Sequence, residues 1–459
     1  PFSWYASCRD VYEASSPGLT DPLGPALSPT RRVRHDHITR NAGDVVRARA
    51  HLYLIGDRAE FLPIIVERWA AGARAAVVFT DHADRTDPDA LRALLYGTSD
   101  PDRSVRPSQG FFGHGLKITK TFFARPGMGS LEDPEARQLA DELVASGSEV
   151  GSHSITPKRD PRSLVAGALA DFSRWHTVTW IDHQPDTNCE AISSRGWRDD
   201  GPYGIHDLLA RAGFRWVWSA SDVPEHGVRV RNVFEPDRPG AALPPIYPLP
   251  SDPRLWVFES SWFYAPIGRL SAAFNQTDLD RLEQERGLFV GHTYLSTSPR
   301  TTRRRDYIAS DAVLPRLEGG FALDPGFEEG LARLGQRVAR GTIASLTLAE
   351  SSERLRALAG VVVRYRADGS AVVTNTSSVA LKSLTLAIPA EVDLLLVGAP
   401  PAGSRREPGR TTIWFDLPAR RSVVVTTRAV PSVSAGGEHG LARVRLGVIA
   451  SQALEGRLP

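Results

Sequence analysis

Cysteine is scarce in this chain, and lysine nearly as scarce. Cys8 and Cys189 are the only two cysteines in 459 residues. They can pair with each other, but their spacing supports neither a disulfide framework nor a zinc ribbon. Lysine stands only at 117, 120, 158 and 382 among 55 basic residues. Positive charge is therefore carried by arginine, whose planar fork binds carboxylates well. A charge excess of one sign is also missing. The formal net charge of +2 implies no strong pull toward nucleic acid or a membrane surface. No apolar run reaches membrane-spanning length, and no signal peptide is visible. The chain opens Pro-Phe-Ser, as expected of a processed or truncated form. The compartment, whether secreted, periplasmic or cytoplasmic, is left open. What remains is the composition of a soluble globular protein, 41% hydrophobic and 24% charged. The length suggests two or three domains.

The stretch Ala76-Val-Val-Phe-Thr-Asp-His-Ala-Asp84 organises the rest. A short apolar, β-branched run predicts a buried strand, and it runs straight into Thr80, Asp81, His82 and Asp84. Ionisable groups where a buried strand emerges need partners, a metal or a reaction. The plainer alternative is an Asx turn leading to Asp87, a helix cap.

The same arrangement recurs down the chain. Asp87-Pro88, Asp133-Pro134 and Asp160-Pro161 read as helix starts, and Gly97 and Gly147 as stops. Strands are expected at 117–123, 149–153, 176–181, 214–219, 255–259 and 287–292, with helices at 203–212, 278–286 and 327–340. The stretch 61–71 has helical spacing. About seven short strands alternating with helices predict a parallel sheet, closed or nearly closed as a (β/α) barrel. Such barrels gather catalytic groups at the C-terminal strand ends. Here those ends carry Asp81, His82, Asp84, His153, Asp182, His183, Asp222, Glu259 and His292. After about 355 the texture changes to strands without helices, including a hairpin across Asp368-Gly369. These predict a small β-sandwich at 355–430. Residues 1–60 read as an N-terminal extension on the barrel, 61–345 as the barrel, and 431–459 as a tail.

A hydrolytic metal site needs about three protein ligands and an open position for water. Asp84, His153 and His183, from three strand ends, make a candidate set for a divalent ion, zinc first. Asp81 would act as base and His292 as the acid that protonates a leaving group. Trp180, Asp182, Trp218 and Asp222 are candidate substrate contacts, the indoles because they stack on pyranose rings.

These stretches resemble the polysaccharide deacetylases with a NodB-like domain, carbohydrate esterase family 4, over about residues 70–345. Val77-Val-Phe-Thr-Asp-His-Ala-Asp84 is similar to that family's first motif, with its paired aspartates. Glu149-Val-Gly-Ser-His-Ser154 is similar to its metal-histidine strand, and Gly291-His-Thr-Tyr294 to its final motif. The resemblance implies a deformed (β/α)7 barrel and metal-dependent removal of N- or O-acetyl groups from a carbohydrate or polysaccharide by activated water. The sequence departs from the pattern in two places. Pro157 stands where the family has its second histidine, so His183 is expected to replace it. Trp180-Ile-Asp-His-Gln-Pro185 stands in place of Arg-x-Pro-Tyr. The competing readings are a carboxylate glycoside hydrolase using Asp222 and Glu259 and a catalytically inactive carbohydrate-binding scaffold. Oligomeric state is not legible.

Overall fold

A computed structural model describes residues 64–428, apart from 101–107, 128, 185–186, 200, 220–245, 250, 260–261, 264–273, 285, 298–311, 317–318 and 367–368. The expected N-terminal extension at 1–60, the tail at 431–459 and Asp222 therefore lie outside the described residues. Of those described, 73–356 form one compact unit, while 64–72 and 357–428 form a second.

In chain order the strands begin with β1 (Ile65–Glu67), which belongs to the second unit. The first unit holds β2 (Ala75–Asp81), β3 (Thr119–Phe122), β4 (Glu149–His153), β5 (Thr179–Ile181), β6 (Trp216–Ser219), β7 (Ile246–Leu249), β8 (Asp252–Glu259), β9 (Trp262–Phe263), β10 (Leu288–Thr293), β11 (Val313–Pro315), β12 (Phe321–Leu323) and β13 (Ile343–Ser345). Its main sheet runs β7-β8-β6-β5-β4-β3-β2-β10-β9, with β13 also paired to β2. Every pairing from β8 through to β9 is parallel, and only β7 is antiparallel. Among the described residues no pairing joins β8 to β9, so the sheet is a curled, open half-barrel.

Helices separate most of these strands, as the sequence predicts. The first, α1 (Pro88–Tyr96), starts on the Asp87 carboxylate, which accepts from the amides of Asp89 and Ala90, and stops at left-handed Gly97. The next, α2 (Pro134–Ala145), starts the same way on Asp133. Asp160 differs from expectation. It does not cap the next helix, α3 (Arg162–Ala168), whose N-cap is Pro161. Its carboxylate instead accepts from the amides of Ile155 and Thr156 and the Thr156 hydroxyl, closing the loop after β4. Three nearer donors outcompete the helix end. None of the described helices is long and apolar enough to cross a membrane.

All seven residues of β2 are buried, as a parallel strand covered on both faces requires. The two faces carry different cores. Val77 and Phe79 join the large cluster under the helices, with Phe79 edge-on to Phe111 at 5.1 Å. Val78 joins a smaller cluster on the other face with Ile181, Trp216, Trp218, Phe258 and Val290.

The second unit contains β14 (Val361–Tyr365), β15 (Ala371–Asn375), β16 (Leu381–Ile388), β17 (Asp393–Val397), β18 (Gly403–Glu407), β19 (Arg410–Leu417) and β20 (Ser422–Arg428). They form two antiparallel four-stranded sheets, β1-β16-β19-β18 and β14-β15-β20-β17. One apolar cluster takes Leu384, Leu386 and Phe415 from the first sheet and Val373, Val423 and Val425 from the second. The 61–71 stretch forms no α-helix where it is described: Ile65–Glu67 is a strand, and only a short 3-10 turn follows at Ala70–Gly72. Ile65–Glu67 pairs antiparallel with Thr385–Ala387, so 64–72 leave the barrel segment expected at 61–345. Hydrogen bonds to a distant strand override helical spacing that is only local. Strand β18, Gly-Ser-Arg-Arg-Glu, has no apolar alternation to announce it. It is held by β19, where the absence of a side chain at Gly403 admits the Trp414 ring.

Candidate metal centre

Strand parity sorts the strand-end residues. Successive side chains alternate faces, so Thr80 and His82 follow Val78, His292 follows Val290, and His183 follows Ile181. All lie on the side of the smaller cluster. Asp81 follows Val77 and Phe79 and falls on the helix side. Four imidazoles are thereby brought together, all buried. His82 stacks on His292 with ring centres 4.0 Å apart and planes 19° apart. Its ring lies 5.0 Å from that of His153. His153 lies 5.1 Å from His183.

Asp84 is the hub. His153 Nε2–H donates to Asp84 Oδ2 at 2.8 Å, and His183 Nε2–H donates to Asp84 Oδ1 at 3.0 Å. A carboxylate only accepts, so both imidazoles carry their proton on Nε2 and leave Nδ1 bare. The bare Nδ1 of His183 accepts from the Asn188 amide at 3.3 Å. The bare Nδ1 of His153 is buried and has no hydrogen-bond partner among the described residues. Burial works against the charge of Asp84, yet His153 and His183 together hold its carboxyl well below the usual range. Burial drives the His153 imidazole down to about 4 despite Asp84. Burial, with His292 and His153 alongside, also pulls His82 well below its ordinary value. His82 and His153 are thereby kept as neutral imidazoles beside the Asp84 carboxylate, the forms that bind metal.

Ligand atoms of His82, Asp84 and His153 all lie within 4.8 Å of one another. His183 stands outside that group. Asp84 and His153 of the expected trio fall in that group; His183 bonds to Asp84 from outside it, and His82 stands in the place foreseen for His183. The sequence signal for His82 was its parity with Val78.

Asp81 is not placed as a base. It is completely buried, 2.9 Å from Lys120 Nζ. The Ser296 hydroxyl donates to its Oδ2 at 2.5 Å, and the amide of Ser296 donates to Oδ1 at 3.4 Å. Its oxygens are spent on these donors. His292, expected on the opposite side of the rim, instead stacks on His82 from the adjacent strand β10; its Nε2 lies 2.9 Å from the Tyr294 hydroxyl. Trp218 stands edge-on to His292 at 4.7 Å and to His82 at 5.4 Å, against the cluster. Trp180 is not a surface for a sugar. It is fully buried in the helix-side core, and its indole N–H donates to Asp182 Oδ1 at 2.9 Å. The amide of Ile192 donates to the same oxygen, so Asp182 braces the loop after β5. Parity with the helix-side face explains both corrections. In that loop Glu190 was overlooked. Burial, with Asp160 and Asp182 close by, pushes its carboxyl up to about 8.

No family model matches the chain, and no curated protein matches it. Solved structures give slight likenesses. A debranching enzyme from Nostoc punctiforme is 10% identical, with a TM-score of 0.25 over 79% of this chain and 100% of that one. Endo-glycoceramidase II from Rhodococcus sp., with a five-membered iminocyclitol, is 10% identical, with a TM-score of 0.19 over 77% of this chain and 97% of that one. Both are too slight to assign an activity.

Proposed function

We propose that this chain is a metal-dependent hydrolase of the polysaccharide deacetylase type, removing N- or O-acetyl groups from a carbohydrate. On this reading the half-barrel is a deformed (β/α)7 barrel and the two antiparallel sheets are a β-sandwich. One observation carries the proposal: the convergence of His82, Asp84 and His153, with a buried, unpartnered nitrogen on His153. Two neutral imidazoles and a carboxylate fit zinc or a similar divalent ion. When bound, such an ion supplies Lewis acidity to a carbonyl and activates water.

The chain's own residues do the rest. His183, fixed by Asn188, orients Asp84. His292, hydrogen-bonded to Tyr294 and stacked on His82, is the group placed to hold a proton for the departing amine or alcohol. Asp81 is paired with Lys120 and Ser296 and supports the turn.

The test is metal content by elemental analysis for wild type and His153→Ala, with acetate release from acetylated amino-sugar oligomers. About one zinc-like ion per chain, lost in the variant, and chelator-sensitive acetate release are expected. A wild type that takes up no zinc, cobalt or nickel would remove this function. Chelator-resistant cleavage of glycosidic bonds would favour the carboxylate hydrolase instead.

A further inference from the structure

In a chain with 55 basic residues and lysine at only 117, 120, 158 and 382, a lysine occupies the completely buried position 120 beside the cluster. An ammonium has three donors. Nζ of Lys120 meets Asp81 Oδ2 at 2.9 Å, the His82 carbonyl at 2.8 Å and the Thr86 hydroxyl at 2.8 Å. All three acceptors belong to the turn that leaves β2. Two of them, on His82 and Thr86, bracket Asp84.

The same turn is held from the other side. The Thr297 hydroxyl donates to the Asp84 carbonyl at 2.9 Å, and Thr86 and Thr297 form a backbone bridge. Asp81 ties the ammonium to the loop after β10 through Ser296. A guanidinium is planar and spreads its donors in a fork; it cannot converge on three acceptors around one nitrogen. The local demand is for a compact cation, which explains lysine in an arginine-rich chain.

We propose that Lys120 is the positioning residue of the metal centre, a tether from β3 that sets the spacing of His82 and Asp84; this rests on the metal-centre reading above. A tether of this kind acts on metal affinity and ligand geometry, whereas a merely stabilising ion pair acts on folding alone. Glu149, on the neighbouring strand, is the control. It is a partly buried tether, accepting from the hydroxyls of Thr119 and Thr179 and the amide of Ala349, with no bond to the 81–86 turn among the described residues.

The experiment is a Co2+ titration of the full chain, followed by visible absorption and paired with thermal unfolding. Variants are Lys120→Met, Lys120→Arg, Thr86→Val and Glu149→Gln. Both Lys120 variants are expected to bind Co2+ at least about tenfold more weakly with shifted absorption bands, as for loss of an outer partner of metal ligands. Thr86→Val should shift the bands with a smaller loss. Glu149→Gln should lower the unfolding temperature and leave Co2+ affinity and spectrum unchanged. Wild-type affinity and spectrum in Lys120→Met would overturn the tether while leaving the metal centre standing. If Lys120→Met does not fold, an unchanged Thr86→Val overturns it. Equal weakening by Glu149→Gln also overturns it. A wild type that binds neither Co2+ nor Zn2+ removes the metal centre, and the tether with it.

Discussion

Asn375 in the second unit and His153 in the first are about equally buried. The Asn375 amide donates to the carbonyls of Val379, Leu417 and Pro418, and its oxygen accepts from the amide and hydroxyl of Ser377. The neighbouring chain uses both ends of it. His153 gives one nitrogen to Asp84, and the other has no hydrogen-bond partner among the described residues. The second unit buries polar groups where its own backbone needs them. The first buries a histidine whose bonding capacity its own chain does not use. An unmet buried group in a cluster of ligand types points outward, to something the chain binds.

The largest expected effect comes from the buried ion pair. Asp81→Ala leaves the Lys120 ammonium without its counter-charge, and denaturant unfolding of the first unit should show a loss of about 3–5 kcal/mol. An unchanged midpoint would mean the pair is hydrated and would break the contrast. Next is Glu190. Its folded pKa, about 8, lies above the ordinary value of 4.5, so the folded state holds a proton that the unfolded chain releases between them. The stability this gives is fully present below about 4.5 and is lost as pH rises toward 8. Glu190→Gln should remove that slope, a difference of several kcal/mol across the window by unfolding at stepped pH.

Metal itself separates the units. Zinc at about 100 times its Kd should raise the stability of the first unit by about 2.7 kcal/mol and leave the second unit's transition where it was. Equal shifts in both would undo the assignment of the site to one unit. The smallest effects form a matched pair. Asn375→Ala should cost about 2 kcal/mol because carbonyls lose their donor. His153→Ala should cost about 1–3 kcal/mol because Asp84 Oδ2 loses its donor, while abolishing metal uptake. Calorimetry and elemental analysis of the two variants read this directly.

Much of the frame was legible. Asp-Pro starts and Gly stops located α1 and α2 because a cap needs only its own few residues. The buried strands at 75–81 and 288–293 were legible as apolar runs. The histidines at their ends were legible as chemistry, because charged or polar groups there need a reason. Less legible was which strand-end residues share a face. By residue type Asp81 reads as a base and Trp180 as a sugar contact, although alternation from Phe79 and toward Ile181 places both on the helix side. Local spacing also misled at 65–67, where the partner strand lies more than 300 residues away.

The sequence by itself determined the alternation of helix and strand, the change to an all-β second part, and the residue types that chemistry would use. Those depend on short-range periodicity, capping and composition. Only the tertiary structure decided that Asp81 is spent on Lys120, that His183 serves Asp84 through Asn188, and that His82 completes the cluster. Each of these rests on a side-chain partner or face supplied by the packing of strands and loops. A donor or acceptor has no assigned role until its partner is known, and packing across the sheet chooses that partner.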